Sequence, residues 1–288
     1  MRVAFATQFG LPSPEAFGDR MSIAPRWRAD ARSVIAAELD GRLVGSNVVT
    51  TWGRFGWFGP LTILPDVWNR GVAQALMEPT MRHFVERGTT AEALFTLPSS
   101  PKHLALYQRY GFWPRRLTAM LARPPDAAVP VAFVRFSALA AAERAAALAG
   151  MRALCGRLFE GLDVTLEVEA LAAQQLGETL IVDGPDGAIG GFAVCHQGAG
   201  SEAGSKDASV KFGAAVDEAS FRRLLDAVLA YGAQAGVERV VVGINTAREA
   251  AYRAALERGF RIAMLGVAMV RGGAAYDDPG AWVIEDHR

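Results

Sequence analysis

The chain has 288 residues, 51% hydrophobic and 21% charged, enough apolar side chains for one large core or two of average size. Lys plus Arg and Asp plus Glu balance at 30 each, and no tract carries five or six like charges. Attraction to nucleic acid or to an anionic membrane through bulk charge is therefore not expected. Cys155 and Cys195 form no pair motif, and His83, His103, His196 and His287 are scattered, so neither a disulfide framework nor a metal site is expected. The opening residues lack the apolar core of a signal peptide and no 18-residue apolar run occurs, which points to a reducing cytoplasm.

In chain order, "MRVAFA" is either an opening strand or not a regular element. Residues 33–52 read as two strands joined at Asp40-Gly41, a short-hairpin signal. "GWFGPLTILP" (56–65) reads as a central strand, apolar on both faces. Residues 71–86 switch to helical period, and Pro79 within them predicts a kink. A strand at 92–98, a short helix at 100–110 and a strand from Gly111 complete a first series. "PPDAAVPVAF" (124–133) has the composition of a linker. Two helical patterns follow, and then the order repeats: strands near 178–184, 188–197 and 209–216, a helix at 217–234, a strand at 239–245, a helix at 246–257 and a strand from Arg261. The loop "GAGSEAGSKD" (198–207) is small and polar and reads as mobile.

The two series are copies of one mixed α/β unit. "ALYQRYGFWPRRLTAML" ends the first and "AALERGFRIAMLGVAM" the second, and Gly111 and Gly259 differ by 148. The same offset carries Gly88 onto Gly236; near the hairpins Gly45 falls on Gly191, an offset of 146. The expected division is a first domain at 1–125, a linker at 126–134 and a second domain at 135–288.

"PDVWNRGVAQALMEPT" (65–80) contains the most informative stretch. A phosphate is held where several backbone N–H groups point one way at a helix N-terminus and small residues let it approach. Gly71 and Ala73 supply the smallness, and Arg70 can add a charge-assisted contact of about 1.5–3 kcal/mol if desolvated. With a hairpin and a central strand ending "ILP" before it, and "SPKHLALYQRYGF" (100–112) after it, "WNRGVA" (68–73) resembles the signature of the GNAT superfamily of acyl-CoA N-acyltransferases. The resemblance covers most of residues 33–121 and, more loosely, 178–270. Trp68 and Asn69 depart from it, since the family prefers Gln or Arg at the first of these positions and often Gly at the second; Ser100 stands where Asn is frequent.

The resemblance implies tandem folds, each a mixed, mostly antiparallel sheet flanked by helices, with acetyl-CoA as co-substrate. It implies that Leu61, Thr62 and Ile63 pair with the pantetheine arm and that Asn69, Arg70, Gly71, Val72, Ala73 and Gln74 hold the pyrophosphate, with Ser100 beside them. Direct attack of an amine on the thioester needs a neutral amine, an acyl group within reach and a proton for the departing thiolate. Tyr107 is the implied proton donor. No general base stands out: Asp66 reads as a loop or capping residue, and Trp52, Trp57 and Phe58 as core or cleft lining. Arg115 and Arg116 read as a solvated strand end, and both cysteines as small core side chains.

The second copy keeps the frame without the chemistry. Asp217 and Glu218 fall opposite Asn69 and Arg70, where they suit a helix start and repel pyrophosphate. Ala255 falls opposite Tyr107, with Tyr252 a turn away. The expected activity is acetyl transfer to an amine of a small molecule or peptide, with no nucleic acid or membrane partner and with room for a homodimer. Alternatives are a non-catalytic acyl-CoA sensor and an aminoacyl-tRNA-dependent transferase. The aromatic tail "YDDPGAWVIEDHR" is expected to dock on the fold.

Overall fold

The computed structural model describes residues 1–184, 187–272, 278–285 and 287. It opens with helix α1 (Arg2–Phe9), correcting the expectation of an opening strand or no element. Gly10, at φ 63°, caps it, and the Leu11 N–H returns to Ala6 O at 2.8 Å, satisfying the final carbonyls. Helix α2 (Ile23–Ala29) follows. Strands β1 (Val34–Leu39) and β2 (Arg42–Trp52) form the expected hairpin, with Asp40 and Gly41 both at positive φ (53° and 73°), as its right-handed twist requires.

The strand expected at 56–65 is two pieces, β3 (Phe55–Phe58) and β4 (Thr62–Ile63), separated by a cis Gly59-Pro60 peptide. Helix α3 (Val72–Arg87) runs through Pro79, and the neighbouring Thr80 hydroxyl donates to Leu76 O at 2.8 Å. Then come β5 (Ala91–Thr96), α4 (Pro101–Gln108) and β6 (Trp113–Arg123). The second copy runs β7 (Val134–Arg135), α5 (Ala141–Leu158), α6 (Thr165–Gln174), β8 (Gly177–Asp183), β9 (Ile189–Gly198), β10 (Gly204–Ala215), α7 (Glu218–Gln234), β11 (Arg239–Asn245), α8 (Glu249–Glu257) and β12 (Arg261–Gly272). The last strand among the described residues is β13 (Trp282–Glu285).

Among the described residues all 13 strands belong to one mixed sheet, in the order β1-β2-β3-β5-β12-β6-β11-β10-β9-β8-β7, with β4 and β13 off this path. Each copy lends its last long strand to the other: β12 lies between β5 and β6, and β6 pairs with β11. The registers show why the copies fit. Thr96 pairs with Val267 and Ile244 with Ala119, which is one and the same pair under the offset of 148. Thr118 faces its own counterpart Gly266, so a local two-fold passes between β6 and β12.

Three cores result. On one face α3 and α4 cover Val49, Phe58, Leu94 and Phe112, with Val267 and Met269 from the exchanged strand β12. On the same face α7 and α8 cover the second copy's strands together with Ala119 and Leu121 of β6. The opposite face carries a joint core, where Trp52, Phe55 and Trp57 pack with Met151 and Leu154 of α5, Val168 and Leu171 of α6, Phe192, Phe212 and Val283. Each fully buried aliphatic side chain in these layers contributes about 1.5–3 kcal/mol, so neither copy loses its partner's strand without a large penalty.

Candidate acyl-CoA site

The site begins where the sheet opens. β3 pairs in parallel with β5 only from Phe55 to Trp57, opposite Ala91 to Ala93. Beyond Gly59-Pro60, β4 pairs only with β2, while β5 continues to Thr96, leaving a wedge between β4 and the end of β5. The Leu64 N–H donates to Val44 O at 2.9 Å. Alternation along the strand then turns the main-chain groups of Ile63 and Leu61 away from β2 and into the wedge. Of the three residues expected to line it, Thr62 instead directs its main chain to β2, and its hydroxyl lies 3.0 Å from that of Ser46.

The wedge leads to the N-terminus of α3. Asn69 and Gly71 both have positive φ (64° and 81°), which reverses the chain tightly before the helix. The first helical bond is Ala75 N–H to Gly71 O at 3.1 Å, so the amides of Val72, Ala73 and Gln74 have no acceptor within the helix. The N-cap is Gly71, which has no side chain to cap them, and a methyl group added there would meet nothing within 4 Å. Asn69, Arg70, Gly71 and Gln74 are exposed, and Val72 and Ala73 half-buried. The structure thus gathers Asn69–Gln74 around one open helix terminus beside the wedge.

Two side chains acquire roles that the sequence did not disclose. Trp68 donates its indole N–H to Ile63 O at 2.9 Å, tying the end of β4 to the loop and occupying one of the wedge's acceptors. Lys102, in the first turn of α4, reaches Asn69 Oδ1 at 2.7 Å and lies over the Trp68 ring at 5.8 Å. It adds a second cation to Arg70 at the cradle, and the only sequence signal for it is its place two residues after Ser100. Ser100 is the N-cap of α4 without a side-chain capping bond. Tyr110, in the turn after α4, donates to Gln74 O at 3.3 Å, fastening that turn to the cradle.

The floor of the wedge is aromatic. Phe58 makes edge-on contacts with Tyr107 (5.6 Å between centroids) and Phe112 (5.5 Å). Tyr107 is 8% exposed, and its burial raises the phenol above its ordinary value, so it stays protonated throughout the physiological range. Trp52, Trp57 and Phe58 are all buried. Asp66 pairs at the surface with Arg42 at 2.7 Å, a structural role.

Behind the wedge, on the joint-core face, lies a buried charge network. Arg26 of α2 donates to Gly59 O, at the point where β3 gives way to β4. The same guanidinium donates from Nε and Nη2 to the two oxygens of Glu202, at 2.5 and 2.6 Å, and Lys211 reaches Glu202 at 2.7 Å. Both cations sit over the Trp57 ring, at 4.4 and 4.2 Å. Burial acts to raise the Glu202 carboxyl, but Arg26 and Lys211 outweigh it and hold it far below the usual carboxylate range. This corrects the expectation of a mobile 198–207 loop: Ser201 is fully buried, Ala203 nearly so, and from Gly204 the chain is already strand β10. Polarity misled there because Glu202 and Asp207 are held by charged partners and the Ser201 hydroxyl accepts from Ala203 and Gly204 N–H. Glu167, His196 and Glu202 also bring ligand atoms within 4.8 Å of one another. Two cations already claim Glu202, so the set is a charge-balanced ion-pair network rather than a place for a third cation.

A small groove of about 90 Å³ runs along β4, lined by Met1, Ala4 of α1, residues 43–46 of β2 and Thr62 to Leu64. Among the described residues no helix is long and apolar enough to cross a membrane.

Residues 3–112, which contain the wedge, the cradle and the aromatic floor, match the acetyltransferase (GNAT) family. Residues 3–112 are a GNAT domain. The whole chain has the tandem GNAT fold. It is similar to a candidate acetyltransferase from Pyrococcus horikoshii at 13% identity over 99% of this chain and 90% of that one, with a TM-score of 0.70. It is also similar to a GCN5-related N-acetyltransferase from Sphaerobacter thermophilus (14% identity, 94% and 90% covered, TM-score 0.58). A tandem GNAT protein from the clavulanic acid biosynthesis pathway gives 16% identity, 94% and 92% covered, and a TM-score of 0.55. At such identities the likeness is one of fold. No curated protein matches the chain in sequence.

Proposed function

We propose that the protein is an N-acyltransferase that takes an acetyl group from acetyl-CoA at the GNAT domain and passes it to an amine of a small molecule or peptide. The observation that carries this is the open wedge leading directly to the uncapped helix terminus at Gly71. Leu61 and Ile63 present main-chain groups to a pantetheine arm, as an added strand would be met. The amides of Val72, Ala73 and Gln74 meet the pyrophosphate, with the dipole of a 16-residue helix behind them and Arg70 and Lys102 beside them.

The reaction is direct aminolysis. The neutral amine forms a C–N bond to the thioester carbonyl, the C–S bond breaks, and the amine's extra proton passes to water. Tyr107, neutral and at the floor of the wedge, gives its proton to the departing thiolate and recovers one from solvent. Glu202, the buried carboxylate joined to Gly59 through Arg26, is locked in its ion pairs and does not serve as base. The groove along β4 is the entrance assigned to the acceptor.

A non-catalytic acyl-CoA binder is the second reading, and the locked state of Glu202 is what favours it. Titration calorimetry with acetyl-CoA tests the site: one molecule binds per chain, and Gly71→Glu abolishes binding with the fold intact. That substitution puts a carboxylate against the diphosphate and costs about 1–2 kcal/mol at a positive φ. Undiminished binding by the variant refutes the cradle. Turnover across a panel of amines separates enzyme from binder.

A further inference from the structure

The second copy keeps the wedge of the first, and the wedge is full. β10 pairs in parallel with β11 from Asp207 to Val210, just as β3 pairs with β5, and then departs at a bulge between Val210 and Phe212. Asp207 opposite Arg239 corresponds to Phe55 opposite Ala91, so an offset of 152 (207 against 55) carries Pro60–Ile63 onto Phe212–Ala215. The anchoring bond recurs: the Val216 N–H donates to Gly190 O at 2.8 Å, as the Leu64 N–H does to Val44 O at 2.9 Å. Along Phe212–Ala215 lies β13, antiparallel, with Glu285, Ile284, Val283 and Trp282 opposite Phe212, Gly213, Ala214 and Ala215.

We propose that the second copy's wedge is a binding site for an extended peptide, and that its ligand is the protein's own C-terminal segment, Trp282–Glu285. The segment sits where the GNAT domain would receive the pantetheine arm, and it closes the second copy to acyl-CoA.

The site is built for this strand. A Cβ on Gly243 would lie 2.2 Å from Glu285 O, so only glycine lets the tail pass, whereas the offset of 148 places Phe95 at that point in the first copy. A Cβ on Gly213 would already touch Ile284 at 3.4 Å. Val283 and Ile284 are fully buried, and the Trp282 ring packs at a tilt on Phe221 of α7, 5.4 Å between centroids. Glu285 forms a buried ion pair with Arg248 at 3.0 Å. Beyond the strand, the His287 ring packs 5.3 Å from Phe55 and 6.2 Å from Trp57, so the segment also reaches the joint core behind the GNAT domain. At the helix terminus that would face a diphosphate, Asp217 caps α7 by accepting from Ser220 N at 2.7 Å, and Glu218 follows it.

The comparison with pantetheine rests on the function proposed above, but the occupancy of the second wedge does not, and its test uses no cofactor. Hydrogen exchange on the intact chain reads it first: amides 282–285 exchange at least 100-fold more slowly than in a free peptide of residues 278–288. A chain ending at residue 277 is then titrated with that peptide, labelled with a fluorophore. Saturable one-to-one binding, with a rise in melting temperature on addition, is the expected result, and a peptide with Ile284→Asp does not bind. Exchange at the free-peptide rate in the intact chain overturns the proposal even if the shortened chain fails to fold. So does a folded shortened chain that ignores the peptide. Two acetyl-CoA molecules bound per intact chain would overturn the closure, whereas none bound would refute only the function proposed for the first copy.

Discussion

Replacing Glu202 with Gln tests the buried network. The carboxylate is about 10% exposed and engages Arg26 at 2.5 Å and Lys211 at 2.7 Å, both cations themselves nearly inaccessible. Removing its charge leaves two cations stacked on one indole ring without the carboxylate that both of them touch. Breaking a buried ion pair from one side costs about 3–5 kcal/mol, far more than the interaction is worth when both partners are replaced. At about 2 °C per kcal/mol for a chain of this size, the melting temperature falls by about 6–10 °C.

The pH dependence carries the same information. The folded-state carboxyl lies below its unfolded value of about 4.3, so its contribution is complete above that value. It is lost as pH falls through the folded value, beneath the ordinary carboxylate range. Melting curves between pH 7 and pH 3 therefore show the gap between wild type and Glu202→Gln constant down to about pH 4.3 and narrowing below it, with a difference remaining at pH 3 because the folded value is lower still. Because Arg26 also holds Gly59 O at the base of the wedge, acetyl-CoA affinity falls in the variant as well. A variant that melts within 1 °C of wild type at pH 7 would show that the network is not the strut described here.

Tyr107→Phe lowers kcat by about 10²-fold or more while leaving the acetyl-CoA Kd unchanged, because it removes only a proton donor; equal turnover in steady-state assays removes Tyr107 from the chemistry. Cys155 has its thiol pushed up to about 12 by burial, and Cys195 is raised further. Both therefore resist a disulfide reagent at pH 8 in the native state and react at once in denaturant, and rapid native labelling at either would contradict the packing. Asn47, fully buried, donates to Thr80 Oγ1 at 2.8 Å, so Thr80→Val costs about 1–3 kcal/mol in urea unfolding; a neutral result would mean that water replaces the hydroxyl.

The sequence alone was enough for the hairpin, the long helices and the repeat, but not for the opening helix, the break at Gly59-Pro60 or the ordered stretch at 198–207. Asp40-Gly41 dictated a hairpin because both positions need positive φ, and the period of residues 71–86 dictated a helix. The 148-residue repeat and the contrast between "WNRGVA" and "VDEASF" identified two copies, one with an open helix terminus and one capped by Asp217. Local pattern could not show that each copy lends its last strand to the other. The apolar alternation of β6 and β12 satisfies either sheet equally, and only the packing of Ala119, Leu121, Val267 and Met269 decides. Nor could it place Arg26 on Glu202, Lys102 on the cradle or Trp282–Glu285 in the second wedge. These contacts join residues far apart in the chain, and polarity in a loop looks the same whether its partner is water or a buried guanidinium.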